Sequence, residues 1–152
     1  MALSIADEYW NKFIQDTGAD PEIRCSGDFC FDTEGIQNEE KLVLILSGKK
    51  TATFSTLASF LIDGEPLPVT GELYMVFDRS ATPRCIIELE SVNVVPFNEV
   101  TWGMAQQEGE DSSLEEWREK QKEYLEDEGA IVGFEFTPDI KLIFQTFRVV
   151  YK

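Results

Sequence analysis

Histidine is missing altogether from this sequence of 152 residues. Its absence removes the side chain most often used to move protons near neutral pH. Ser-His-Asp and Cys-His nucleophile chemistry are both excluded, so a base would have to be a lysine, a carboxylate or water. Cysteine is scarce. Cys25, Cys30 and Cys85 are an odd number at irregular spacing, which suits the reducing cytoplasm better than a disulfide framework. Cys25 and Cys30 lack the second pair, or the histidine, that a tetrahedral metal site needs, so neither a metal nor another cofactor is expected. Both read as small buried side chains. Long apolar runs are absent too: none approaches the roughly 20 residues that cross a bilayer, and "MALSIADEYW" has no basic region leading into an apolar core. A soluble, unexported protein with no membrane partner is expected. Positive charge is the remaining shortage, with 13 Lys and Arg against 29 Asp and Glu, a net charge of -16. Phosphate backbones are bound by clustered cations, so generic nucleic-acid binding is not expected.

What is present is an ordinary globular composition, 43% hydrophobic with 11 Phe, 3 Trp and 4 Tyr, and a length that suits one domain with a sizeable core. Ile5/Ala6, Tyr9/Trp10 and Phe13/Ile14 recur every four residues between a Ser4 cap and Gly18, predicting a first helix over about 3–17. Asp20 to Gly35 carries turn residues without a period and reads as a surface connection. Asn38 reads as the cap of a short helix through Leu42, Val43, Ile45 and Leu46, with Gly48 as its left-handed terminator. Strand signals begin at Thr51 and run to a turn at "DGEPLP", Asp63 to Pro68. "ELYMVFD" and "RCIIELESVNVVPF" are rich in β-formers and are separated by a turn containing Pro83, suggesting a meander. A helical segment over about Thr101 to Gln107 precedes a second, opened by a capping box of Ser112 or Ser113 with Glu115 or Glu116. Leu114, Trp117, Tyr124 and Leu125 give that second helix an apolar face. The last strand spans Ile140 to Lys152. Helices, strands, helices, strand make the class α+β.

Two ammonium groups meet two threonine hydroxyls at "LILSGKKTATFS", Leu44 to Ser55. A structural reading suffices for the spacing: glycine ends helices, lysine complements their negative ends, and threonine suits strands. The functional alternative takes Lys50 as a base, helped by burial and by the neighbouring charge of Lys49, with Thr51 or Thr53 as a hydroxyl nucleophile. On an ideal strand Lys50 and Thr53 point to opposite faces, so their pairing requires a bulge or a turn-like start after Gly48. Lys49, or backbone amides near Gly48, would face an oxyanion. Trp102, after a β-to-α junction, is a candidate cleft residue for stacking on a base. Trp117 reads as core, and Arg118 as an intrahelical partner of Glu115.

"LILSGKKTATFSTLASFLIDGEPLPVTGEL", "CIIELESVNVVPFNEV", "AQQEGEDSSLEEWREKQKEYL" and the closing "FRVVY" resemble, in order and spacing, the ASCH-domain proteins of the larger bacterial type. The resemblance implies one ASCH domain over 1–152, with a small PUA-like β-barrel and its cleft over about 36–152, flanked by helices. It also implies a nucleoside or a short RNA as ligand. Small bacterial members hydrolyse the acyl amide of acylated cytidine with a lysine, a threonine and a glutamate, which match Lys50, Thr53 and Glu108, with Glu110 as the competing carboxylate. Gly48, Lys49, Thr51 and Trp102 complete the expected ligand site. Many larger members carry a histidine where this chain has Gln121. A non-catalytic module for RNA or modified bases, and a ribonuclease, are the alternatives; the oligomeric state is not encoded legibly.

Overall fold

The structure is a computed structural model that describes residues 4–29 and 36–152. Helix α1, Ile5–Thr17, starts where Ser4 Oγ accepts the Asp7 amide and stops where Gly18 turns left-handed, as its sequence predicts. Helix α2 spans Ile36–Leu46, so Asn38 lies inside it and not at its cap. Strand β2, Ala52–Thr56, is followed by β3, Leu73–Phe77, and β4, Pro83–Pro96; after two intervening helices β5, Lys141–Tyr151, closes the chain. These form a curled half-barrel in which β3–β4, β4–β5 and β5–β2 are antiparallel. The α+β, PUA-like expectation therefore holds.

Three elements depart from the sequence reading. The stretch read as connection contains β1, Gly27–Phe29, which adds to β3 in parallel at the sheet edge. Three residues are too few to show a period, and edge pairing rests on backbone bonds that any sequence can make. Cys30 and the rest of that connection to Gly35 lie outside the described residues. Helix α3, Leu57–Asp63, replaces the second half of the expected strand. Its N-cap residue, Thr56, sends its hydroxyl 2.7 Å to Glu128 instead of back to the helix, so a tertiary contact marks a boundary the local code leaves blank. Pro83 opens β4; the preceding turn is held by Asp78, whose carboxylate accepts the Ser80 and Thr82 amides.

Period-2 alternation sorts the sheet's two faces. Cys85, Ile87 and Leu89 of β4 and Phe147 of β5 pack on Leu42 and Ile45 of α2. Ile86, with Leu73 and Met75, packs on Phe13 of α1. Leu142 of β5 joins Trp117 and Leu125 of helix α5, Leu114–Val132, and Ala105 of the short helix α4, Trp102–Ala105, in a third cluster. Among the described residues no helix is long and apolar enough to cross a membrane.

Candidate functional site

Lys50 is brought inward by the way α2 ends. Gly48 takes φ 81°, and the amides of Lys49 and Lys50 both donate to the Leu44 carbonyl at 2.9 Å. The chain then meets the turn after α4: the Thr51 amide donates to Gln107 O at 2.8 Å. Gly109 makes this approach possible. It sits at φ 73°, and a Cβ there would lie 2.8 Å from the Lys49 carbonyl oxygen, closer than real side chains come.

The result is a buried ammonium between two carboxylates. Lys50 is 1% exposed; its Nζ lies 3.3 Å from Glu108 Oε2 and 2.9 Å from Glu110 Oε2, and also donates to the Glu108 carbonyl. Both glutamates named as competitors in the sequence are thus on the lysine. They differ in setting. Glu108 is buried, and its Oε1 accepts Trp117 Nε1–H at 2.7 Å and Gln121 Nε2–H at 3.2 Å. The Glu110 side chain is 26% exposed and meets Lys41 of α2 at 3.8 Å. Burial pushes the Glu108 carboxyl above the ordinary carboxylate range, against the opposing pull of Lys50 and the Trp117 hydrogen bond.

Trp117 and Gln121 are the site residues that sequence reasoning missed. Trp117 is core, fully buried as expected, yet its ring nitrogen reaches the site from the same position. A buried indole N–H needs an acceptor, and that requirement was the available signal. Gln121 lies four residues on, one helical turn along the same face of α5. Arg118 donates to the Val100 carbonyl at 3.3 Å, not to Glu115, which frees it from the intrahelical pairing the spacing suggests.

Two cavities adjoin this cluster. One, of about 850 Å³, lies between α2 and α5 and is lined by Glu108, Glu110, Gln121 and Tyr124, with Val43 and Leu44. The other, of about 510 Å³, is lined by Gly48, Lys50, Thr51, Gln107, Arg148 and Lys152. Gly48, Lys50 and Thr51 therefore line the smaller cavity, and Glu108 and Glu110 the larger. Lys49 is exposed. Trp102 is half-buried against the α5 cluster and lines neither cavity.

Thr53 lies in β2, whose register with β5 runs without interruption from Ala52 to Thr56, while Lys50 and Thr51 precede the strand, so the start after Gly48 is turn-like and not bulged. Thr53 pairs with Gln145 and shares a face with Ser55, which accepts from Gln145 Nε2, while Phe54 on the other face packs on Trp117. Among the described residues no hydrogen bond joins Thr53 to Lys50 or Glu108, and no cluster of His, Cys, Asp and Glu is placed to hold a metal ion.

The comparisons with known proteins agree with this architecture. The ASCH-domain structure from Lactobacillus crispatus superposes with a TM-score of 0.88 at 27% identity, covering 97% of this chain and 95% of that one. A protein from Enterococcus faecalis superposes with a TM-score of 0.84 at 29% identity, covering 97% and 88%. No curated protein matches the chain. The ASCH domain family model matches residues 28–151, and with a match of that extent the chain belongs to the ASCH-domain family.

Proposed function

We propose that this protein binds a nucleoside, free or within a short RNA, in the cavity between α2 and α5, and that its favoured chemistry is hydrolysis of the acyl amide of acylated cytidine. The observation that carries the reading is the pair of carboxylates lining that cavity, Glu108 and Glu110, which hold the buried Lys50 between them from behind. A structural ion pair needs one carboxylate; a lysine with two, one of them pushed toward its protonated form by burial, is an arrangement for moving protons. The reading requires Lys50 as the base and Glu108 as the acid, which stand side by side at 3.3 Å. In the hydrolysis, Thr53 Oγ attacks the acyl carbon and Lys50 takes its proton. Glu108 gives a proton to the exocyclic nitrogen as the C–N bond breaks and cytidine leaves. Water then cleaves the acyl-threonine ester, releasing the carboxylic acid and restoring the hydroxyl.

The place of Thr53 outside both cavities favours a second reading, a nucleoside-binding module without turnover. Incubation of the purified protein with N4-acetylcytidine, followed by chromatography for cytidine and acetate, separates the two. The enzyme reading expects turnover that falls by at least about 10²-fold in Lys50→Ala and in Thr53→Ala. Binding of N4-acetylcytidine with no product from the wild-type protein would decide for the module. Turnover unchanged in Lys50→Ala would move the chemistry elsewhere.

A further inference from the structure

Glu108 divides its two carboxylate oxygens between different partners. Oε2 faces Lys50 Nζ at 3.3 Å, while Oε1 accepts Trp117 Nε1–H at 2.7 Å and Gln121 Nε2–H at 3.2 Å. Two donors on one oxygen occupy both of its lone pairs, so a proton arriving at Oε1 meets N–H groups and no acceptor. The two donors are not equivalent. An indole nitrogen only donates, and the Trp117 ring is fixed in the core between Phe54 and Phe97. Gln121 is half-buried, lines the larger cavity, and ends in an amide whose half-turn exchanges N–H for carbonyl. Its carbonyl oxygen takes no hydrogen bond among the described residues, so the half-turn breaks only the bond to Glu108.

Resting on the reading of Glu108 as the acid of the site, we infer that Gln121 is its positioning residue: the amide closes Oε1 to protons and so confines the proton of Glu108 to Oε2, beside Lys50. Trp117 alone would leave one lone pair of Oε1 open. With both donors in place, a proton taken up by Lys50 has a single oxygen to pass to, at 3.3 Å. The charged groups that face Glu108 from elsewhere are Lys50, before β2, and Glu110, itself 3.8 Å from Lys41 of α2. Lys50 favours the ionised carboxylate and Glu110 opposes it. A neutral amide donating to Oε1 adds to the side of the ionised form without adding charge.

The indole N–H of Trp117 is bonded to Oε1, so its NMR resonance reports the ionisation of Glu108 with no ligand and no turnover. Titration of that resonance from about pH 4 to about pH 9 tests the inference on two variants, Gln121→Met, which keeps the length and loses the donor, and Gln121→Glu, which keeps the shape and reverses the hydrogen bond. Removing a donor from the ionised form raises the midpoint: about one pH unit is expected in Gln121→Met, and more in Gln121→Glu, where a like charge is added. In hydrolysis of N4-acetylcytidine the protonated Glu108 is the active form, so the alkaline limb of the pH–rate profile is expected to move up with the midpoint. A glutamine that merely packs α5 would lower the melting temperature in both variants and leave the midpoint unmoved, and that result overturns the inference. A wild-type resonance that does not titrate overturns it as well. A wild type that titrates as expected but releases no cytidine removes the catalytic reading alone, and the raised midpoints would still assign the hold on the Glu108 carboxyl to Gln121.

Discussion

Glu108 concentrates the site's chemistry in one residue. It is buried, yet three hydrogen-bond donors from two parts of the chain converge on its carboxylate: Lys50 before β2, and Trp117 and Gln121 on α5. Burial nevertheless dominates and holds its pKa above the ordinary value of 4.5. A carboxyl whose folded pKa is raised contributes stability that is complete below the unfolded value and is lost as pH rises through the folded one. Glu108→Gln keeps the shape and a carbonyl acceptor but cannot ionise. Urea unfolding from about pH 4.5 upward is therefore expected to show the wild type losing stability relative to Glu108→Gln as pH rises toward neutrality. A difference independent of pH over that range would show that folding does not shift this carboxyl. At this scale the sequence was half legible. Lys50, Glu108 and Glu110 stand out as charges in a chain without histidine, but nothing local says that the core tryptophan also donates to one of them. That link spans nine residues and a change of element.

Elements whose ends are capped by their own side chains were readable, and elements defined by distant partners were not. Ser113 caps α5 by accepting the Glu116 amide, and Glu116 reaches back to the Ser112 amide, as the "SSLEEW" pattern predicts. Helix α3 and strand β1 carry no such signature: α3 begins at a threonine committed to Glu128, and β1 exists by pairing with β3. The contact that assembles the site is likewise tertiary. The end of α2 and the turn after α4 meet backbone to backbone at Lys49 and Gly109, with the Thr51–Gln107 hydrogen bond beside them. Gly109→Ala places a methyl group against a carbonyl at a left-handed backbone position, so the two segments must separate. It is expected to cost about 1–3 kcal/mol in urea unfolding and to weaken nucleoside binding, because the neighbours of Gly109 are the two carboxylates that hold Lys50. Wild-type stability and affinity in Gly109→Ala would mean that the segments part without disturbing the cluster.

The whole molecule carries its charge in a way that limits what it can hold. Among the described residues, seven of the 13 basic side chains, Arg24, Lys41, Lys50, Arg84, Lys120, Lys122 and Arg148, lie within ion-pair distance of described carboxylates. Few cations are left to displace counterions from a phosphate backbone, and an RNA approaching a net charge of -16 is repelled before any contact forms. The smaller cavity, with Arg148 and Lys152 in its lining, is the exception, but it also contains Glu90, and Arg148 is paired with Glu88. A local site for one nucleotide fits this distribution; a track for a strand does not. Fluorescence anisotropy with a short labelled single-stranded RNA of mixed sequence is therefore expected to give a Kd no tighter than about 10⁻⁵ M at physiological salt. The salt dependence separates the causes. A strand held by many phosphate contacts would lose affinity by about 10³-fold or more between about 50 and about 200 mM salt, whereas a single nucleotide in a cavity changes little. Submicromolar, sequence-independent binding with the steep salt slope would show that this acidic surface hides a cationic track, and would shift the proposed ligand from a nucleoside to an RNA chain.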